Sequence, residues 1–388
     1  MQGSINKVGD KFQWNYQDDV TFKYGLCDTL EEAKAALEAA GKKEILTVED
    51  FFNGPFMEWK AADLKLPTVK KYERLFRTYI KPSLGSLDIT SVTSIQIETV
   101  LTDLIHNRNI SPITVDVVKG IITGIFRRAF RTHLIPSNPC LDIELPKGRK
   151  KLKKKNPFTD SQLTEFLRRA EKTDYSLILD IMAWTGARLG EVVSLQWEDI
   201  DFEKENIRVR HTLEYIDGEF ILNTPKTETS ARNIPISVEH LKTIKQWGKS
   251  KEYQSRLKLA EGKVVKTGNG VGKAEGETPL SNFVFISRRG LPVNETAVAY
   301  CMTRLVGGMK RDGLLDKDGH YSTHSLRYTF CSSCLSRGVP LRAVSDLLGH
   351  CSGKMVLEVY SRLTEEQRRE ELEKSGMLDR LNNIEPAV

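Results

Sequence analysis

Nine residues near the middle of the chain, KGRKKLKKK at 147–155, carry seven basic side chains and no acidic one. Such a run cannot enter a hydrophobic core, because each unpaired charge would lose its water at a large cost. The chain therefore folds on either side of this segment rather than through it. The rest of the sequence does not share the bias. Residues 1–44 carry 6 basic and 8 acidic side chains, 45–146 carry 12 and 11, and 156–388 carry 33 of each. The formal net charge of +6 is smaller than the charge of this one run. On composition alone, a charge run is a solvated spacer. Between two folded regions, Lys147, Arg149, Lys150, Lys151, Lys153, Lys154 and Lys155 also suit a phosphate backbone, whose counterions they would displace.

The flanking regions read as three domains. A chain of 388 residues, 39% apolar, has material for two or three cores. In 1–44, Phe12, Trp14 and Tyr16 alternate with polar residues, as do Phe22 and Tyr24, the period of half-buried strands. Asp18-Asp19 suits the turn between them, and Thr29 with Glu32 forms a capping box for a helix through about Ala40. Residues 45–146 read as a helical bundle. Thr47 with Asp50 caps the first helix, and Thr68 opens a second that Pro82 ends. Thr93 with Gln96 caps a third, and Ser111-Pro112 starts a fourth running to about Thr132.

Residues 156–388 mix helix and strand. Helices are expected over 161–170 and 176–184, and strands at NIRVRHTLEYI, EFILNTP and ARNIPIS. Asp217-Gly218 makes a hairpin turn between the first two. The stretch 248–281, rich in Gly, Lys and Glu, reads as a mobile insertion. Helices resume at about 294–306. The fold class is α+β. A mainly helical C-terminal domain with a small antiparallel sheet follows a helical domain and a small β-sheet/helix N-terminal domain. Six cysteines at 27, 140, 301, 331, 334 and 351 make no disulfide framework, and Cys331 and Cys334 read as core residues. No apolar run is long enough for a membrane helix, and the first residues lack the pattern of a secretory signal. A cytoplasmic protein without a membrane segment is expected.

Four segments carry chemistry. In TGARLGEVVSLQW, Arg188 stands beside Gly186 with Glu191 one helical turn on. By itself this is a surface ion pair, but it also presents a planar donor fork suited to two phosphate oxygens. Lys226, in a polar turn between strands, is one exposed lysine among many, or a proton donor on a hairpin. His324 and Arg327 are three apart, hence on one helix face; none of the other six histidines has an arginine at that spacing. Gly349-His350 closes a helix, and Tyr360 lies ten residues beyond. Each has a commonplace reading alone. Together, in order and once each, they supply two guanidiniums, two imidazoles, an ammonium and a phenol. That is a phosphoryl-transfer set with no carboxylate cluster for magnesium and no Walker loop, so neither metal nor cofactor is expected.

These segments resemble the signature boxes of the tyrosine recombinases, the integrases of phages and mobile elements. The resemblance covers about 157–362, and more loosely 47–146, which is similar to the SAM-like core-binding domain. Residues 3–43 resemble the three-stranded arm-binding domain of some integrases. The resemblance implies a 3′-phosphotyrosyl intermediate formed by Tyr360. Arg188, Arg327 and His350 would hold the phosphate, His324 would accept the phenol proton, Lys226 would protonate the leaving 5′-oxygen, and Glu191 would orient its neighbours. It also implies double-stranded DNA recombination sites as partner, a tetramer on DNA, accessory DNA-bending or directionality factors, and a C-terminal helix that docks on its own domain or on a neighbouring subunit. The acidic balance of 1–44 moves the expected DNA contact to the linker. A type IB topoisomerase and a non-catalytic DNA-binding regulator of the same descent are the alternatives. Pairing of two sites would separate the first from a recombinase, and a covalent DNA adduct the second.

Overall fold

The computed structural model describes residues 3–17, 22–41, 45–144, 156–223, 231–268, 274–349 and 356–357. Two units emerge, one made of 1–59 and 72–150, the other of 60–71 and 151–388. The basic run 147–155 lies outside the described residues.

The first unit begins with an antiparallel sheet of β1 (Gly3–Val8), β2 (Lys11–Gln17) and β3 (Phe22–Cys27), in the order β1-β2-β3. The expected strands are β2 and β3, with Phe12, Trp14 and Tyr16 half-buried on β2, but Phe22 and Tyr24 on β3 are exposed, because they pair with Gln17 and Asn15 on the opposite face of the sheet. The first strand, GSINKV, has too little apolar alternation to be read from pattern. Helix α1 (Leu30–Gly41) starts at the Thr29–Glu32 box, in which the Glu32 carboxylate accepts from the Thr29 backbone N–H and the Thr29 hydroxyl from that of Glu32.

The helices that follow are α2 (Val48–Phe51), α3 (Met57–Ala61), α4 (Leu66–Leu75), α5 (Ser94–His106) and α6 (Pro112–Arg131), with 60–71, from the end of α3 into α4, counted in the second unit. Thr47–Asp50 and Thr93–Gln96 form the expected boxes, and Ser111 caps α6 ahead of Pro112. Two expectations fail. Helix α4 starts at Leu66, ahead of Thr68, and Pro82 does not end it, because a π-helical run continues over Phe76–Gly85. Phe76, Ile80 and Leu84 recur every four residues and are buried. That packing outweighs the single hydrogen bond a proline withholds. Phe52 stacks on Phe76 with ring centroids 3.8 Å apart at the centre of this core.

The second unit contains α7 (Asp160–Ala170), α8 (Ser176–Thr185), α9 (Leu189–Val193), β4 (Ile200–Asp201), β5 (Asn206–Val209), β6 (Thr212–Ile216), β7 (Glu219–Asn223) and β8 (Arg232–Pro235). It continues through α10 (Val238–Lys249), α11 (Lys251–Ala260), β9 (Val264–Gly268), β10 (Ala274–Pro279), α12 (Glu295–Arg311), α13 (Thr323–Ser336) and α14 (Leu341–Leu348). The strands form two sheets, β4-β5-β8 and β10-β9-β7-β6. All described pairings are antiparallel except β7 with β9.

The single strand expected over NIRVRHTLEYI is in fact two, β5 and β6, in different sheets. The chain turns at Arg210–His211, where Arg210 is paired to Asp199 at 2.5 Å and the His211 carbonyl accepts from the Ser194 hydroxyl at 3.0 Å. Asp217 and Gly218, both at positive φ, make the expected hairpin turn. The mobile insertion expected at 248–281 is likewise corrected, since α11, β9 and β10 occupy most of it. Tyr253 anchors α11: it is 2% exposed, accepts from Trp197 Nε1 at 2.6 Å and donates to the Phe283 carbonyl at 2.8 Å. One buried tyrosine and a short strand are easily hidden by a Lys-, Gly- and Glu-rich composition. No described helix is long and apolar enough to cross a membrane.

Candidate active site

The site is assembled where three chain ends meet: the turn from α8 to α9, the start of β8 and the end of α14. Gly186 ends α8 in the left-handed conformation with φ +64°, and a Cβ there would come within 2.5 Å of the Phe330 ring. Glycine alone allows both the turn and that approach. The turn delivers Arg188 to the start of α9.

Glu191 is the hub. Its side chain is 6% exposed. Oε1 accepts from Arg188 Nη1 at 2.6 Å and from Arg232 Nη1 at 3.3 Å, while Oε2 accepts from the Arg188 backbone N–H at 2.8 Å and from Arg232 Nη2 at 2.9 Å. Burial works against a charge here, but the hydrogen bond and charge of Arg232, with those of Arg188, outweigh it and hold the Glu191 pKa below its ordinary value.

Arg327 completes the cluster. It is 2% exposed, donates from Nη1 to the Gly186 carbonyl at 2.6 Å, and donates from Nη2 to the Leu348 carbonyl. It thereby ties the α8–α9 turn to the end of α14. Burial, then the positive charge of Arg188 and, after the opposing pull of Glu191, that of Arg232, push its pKa down to about 9. Among the described residues, the Arg188 and Arg232 guanidiniums share the Glu191 carboxylate and the Arg327 guanidinium feels its charge, an excess of positive charge in a largely buried cluster whose exposed member, Arg188, is 39% accessible. Such a cluster attracts an anion, and a phosphate fits its forked donors.

Arg188 opens onto a cleft of about 620 Å³, also lined by Gly190, His211, Glu214, Glu295 and His324. His324 and Arg327 share α13 but not an environment: the histidine is exposed and the arginine buried. A Cβ on Gly190 would come within 2.5 Å of Thr212 Oγ1 and 2.6 Å of Glu295 Oε1, so the cleft wall closes only over glycine. Glu295 faces Glu214, and burial together with that like charge raises its pKa from 4.5 to about 7. The folded protein thus holds this proton more tightly than the unfolded chain. The associated stability is fully present below about pH 4.5 and is lost as the pH rises to about 7. Glu295→Gln stays neutral throughout. In urea unfolding it should match the wild type at low pH and exceed it by on the order of 2 kcal/mol near pH 8. A difference independent of pH would show that Glu295 ionises freely in the fold.

Of the residues expected from sequence, the structure brings Arg188, Glu191, His324 and Arg327 together. Lys226, His350, Tyr360, the seven basic linker residues and the C-terminal helix lie outside the described residues. The described strands on either side of Lys226, β7 and β8, belong to different sheets. Cys331 is buried in the small core of α13 and α14, with Cys334 packed against it. Sequence reading missed Arg232, although a signal was present. It shares the inward register of β8 with Ile234, which the buried Ile236 continues just past the strand, where a charge needs a reason. Glu295 had no signal, since an acidic residue in the first turn of a helix is ordinary.

The comparisons with known proteins agree with this geometry. Residues 157–367 match the phage integrase family, and residues 47–105 match the phage integrase N-terminal SAM-like domain. The chain belongs to the phage integrase family and is a tyrosine-type site-specific recombinase. It is 26% identical to a tyrosine recombinase XerC-like protein of Caldanaerobacter subterraneus subsp. tengcongensis, over 84% of this chain and 82% of that one. It is 24% identical to the ICEBs1 integrase of Bacillus subtilis, over 95% and 97%. Its fold matches that of the Tn1549 transposon integrase in complex with a circular intermediate DNA. The TM-score is 0.68 at 24% identity, covering 84% of this chain and 99% of that one.

Proposed function

We propose that this recombinase integrates and excises a mobile element or phage genome by cutting and rejoining double-stranded DNA through a 3′-phosphotyrosyl intermediate. The observation that carries the reading is the cluster of Arg188, Arg232 and Arg327 around the carboxylate of Glu191, open to a cleft through Arg188. Among the described residues it is short of negative charge. A scissile phosphate supplies one such charge and gains more along the reaction, which is the condition for electrostatic stabilisation.

Tyr360 Oη attacks the phosphorus in line, and its proton passes to His324. The bond to the 5′-oxygen breaks, and Lys226 protonates that oxygen. Arg188 and His350 hold the non-bridging oxygens. Arg327, whose terminal nitrogens lie on the Gly186 and Leu348 carbonyls, fixes the walls of the site and adds its charge. The energy of the phosphodiester stays in the tyrosyl link, so a 5′-hydroxyl of a second duplex reverses the step without ATP. The helical and catalytic domains grip the duplex, with Lys147, Arg149, Lys150, Lys151, Lys153, Lys154 and Lys155 along its backbone. Four copies assemble on paired attachment sites, assisted by DNA-bending or directionality factors.

The test uses a nicked duplex spanning the junction at the edge of the element that carries the gene, labelled on the strand 3′-joined to the scissile phosphate. Strand cleavage should leave that label covalently on the protein. Two such sites should then recombine, while a supercoiled plasmid lacking them is not relaxed. Absence of any adduct would overturn the reading, and relaxation without recombination would redirect it to a topoisomerase.

A further inference from the structure

Arg232 has no role in the transfer step above, yet its setting is costly. A guanidinium 6% exposed, on the inward face of a strand, loses most of its water. Its partners account for that position. Nη1 and Nη2 embrace Glu191 at 3.3 and 2.9 Å, and Nε donates to the Leu347 carbonyl at 2.6 Å. Its stem lies against Gly349, where an added Cβ would come within 3.1 Å of Nη1 and 3.2 Å of Cδ.

Each contact leads to a group of the reaction. Glu191 holds both the side chain and the backbone of Arg188. Gly349, left-handed at φ +63°, immediately precedes His350. Arg232 itself follows Lys226 by six residues, at the start of the strand to which that segment returns.

We propose that Arg232 is a positioning residue for strand cleavage, fixing Arg188 through Glu191 and holding the end of α14 through the Leu347 carbonyl. The proposal rests on the strand-transfer reading above. The Arg188 guanidinium meets Glu191 Oε1 through Nη1 and its backbone N–H meets Oε2, while the Arg232 guanidinium grips both carboxylate oxygens. Without Arg232 the carboxylate turns to Arg188, and the pair closes on itself instead of presenting the remaining donors to a phosphate. The Leu347 carbonyl loses its donor at the same time, so the end of α14 shifts. A lysine cannot substitute, because one ammonium cannot span two carboxylate oxygens and a carbonyl in fixed directions.

The test compares wild type, R232M, R232K and E191Q on the same nicked duplex. Single-turnover cleavage is measured per folded molecule, with the folded fraction taken from urea unfolding, and duplex affinity is measured separately. R232M should cleave about 10²-fold more slowly, because misplacement of order 1 Å has that effect, while its affinity for the duplex stays within about threefold. R232K should be rescued only in part. The R232M/E191Q double variant should cleave no more slowly than the poorer single, the mark of one shared path. R232M cleaving at the wild-type rate per folded molecule, or losses that multiply in the double variant, would overturn the proposal. A wild type that forms no adduct would overturn the strand-transfer reading and this proposal with it.

Discussion

Tyr360→Phe is expected to abolish the covalent protein–DNA adduct, lowering cleavage by about 10⁴-fold or more, while duplex affinity stays within about threefold. The substitution removes one oxygen and keeps the ring, so packing contributes little to the difference. That oxygen is the only atom of the side chain able to displace a phosphate ester. A phenol, with its ordinary pKa near 10, reacts at neutral pH only when its proton is accepted and the charge on the phosphate is countered. The arginine cluster remains intact in the variant, so the phosphate should still be held. The measurement is adduct formation on the labelled nicked duplex beside a binding titration. An adduct of wild-type yield with the phenylalanine variant would assign the nucleophile to another residue.

Glu191→Ala is the second large effect. Removing the carboxylate takes the Glu191 counter-charge from the buried Arg232 and makes the cluster more positive by one. Breaking one side of a buried pair typically costs about 3–5 kcal/mol, and urea unfolding at neutral pH should read a loss of that size. The added positive charge should leave duplex affinity unchanged or tighter. Cleavage per folded molecule should fall, since Arg188 loses the partner that aims it. Glu191→Gln keeps the shape and one of the two acceptor oxygens and should lose less, about 2 kcal/mol. Because the Glu191 pKa lies below its ordinary 4.5, the stability it supplies is present above that value and lost as the pH falls through the folded-state pKa. The gap between wild type and Glu191→Gln should therefore close in acid. A gap that is constant with pH would mean that the charge of Glu191 does not stabilise the fold.

Much of the helical framework was legible because its signals are local. The boxes at Thr29, Thr47 and Thr93 and the Ser111-Pro112 start each lie within four residues and form as hydrogen bonds in the fold. Signals that depend on the environment misled. Pro82 reads as a helix end, yet the helix continues because Phe76, Ile80 and Leu84 are buried on one stripe. The residues 206–216 read as one strand, yet the Arg210–Asp199 pair and the Ser194 bond turn the chain into a second sheet. The composition of 248–281 reads as a loop, yet Tyr253 and the pairing of β7 with β9 give it structure.

The sequence by itself determined the kind of chemistry. Arginine, lysine, histidine and tyrosine have fixed functional groups, and their order along the chain is a covalent fact. Tertiary structure alone decided how that chemistry is held. Whether a guanidinium is exposed or buried, and which oxygens it meets, depends on segments far apart in sequence. Arg232 reaches Glu191 across 41 residues and Leu347 across 115, and Arg327 reaches Gly186 across 141. No local pattern encodes those meetings, because they arise from burial of the surrounding core and from the need of each buried charge for a partner.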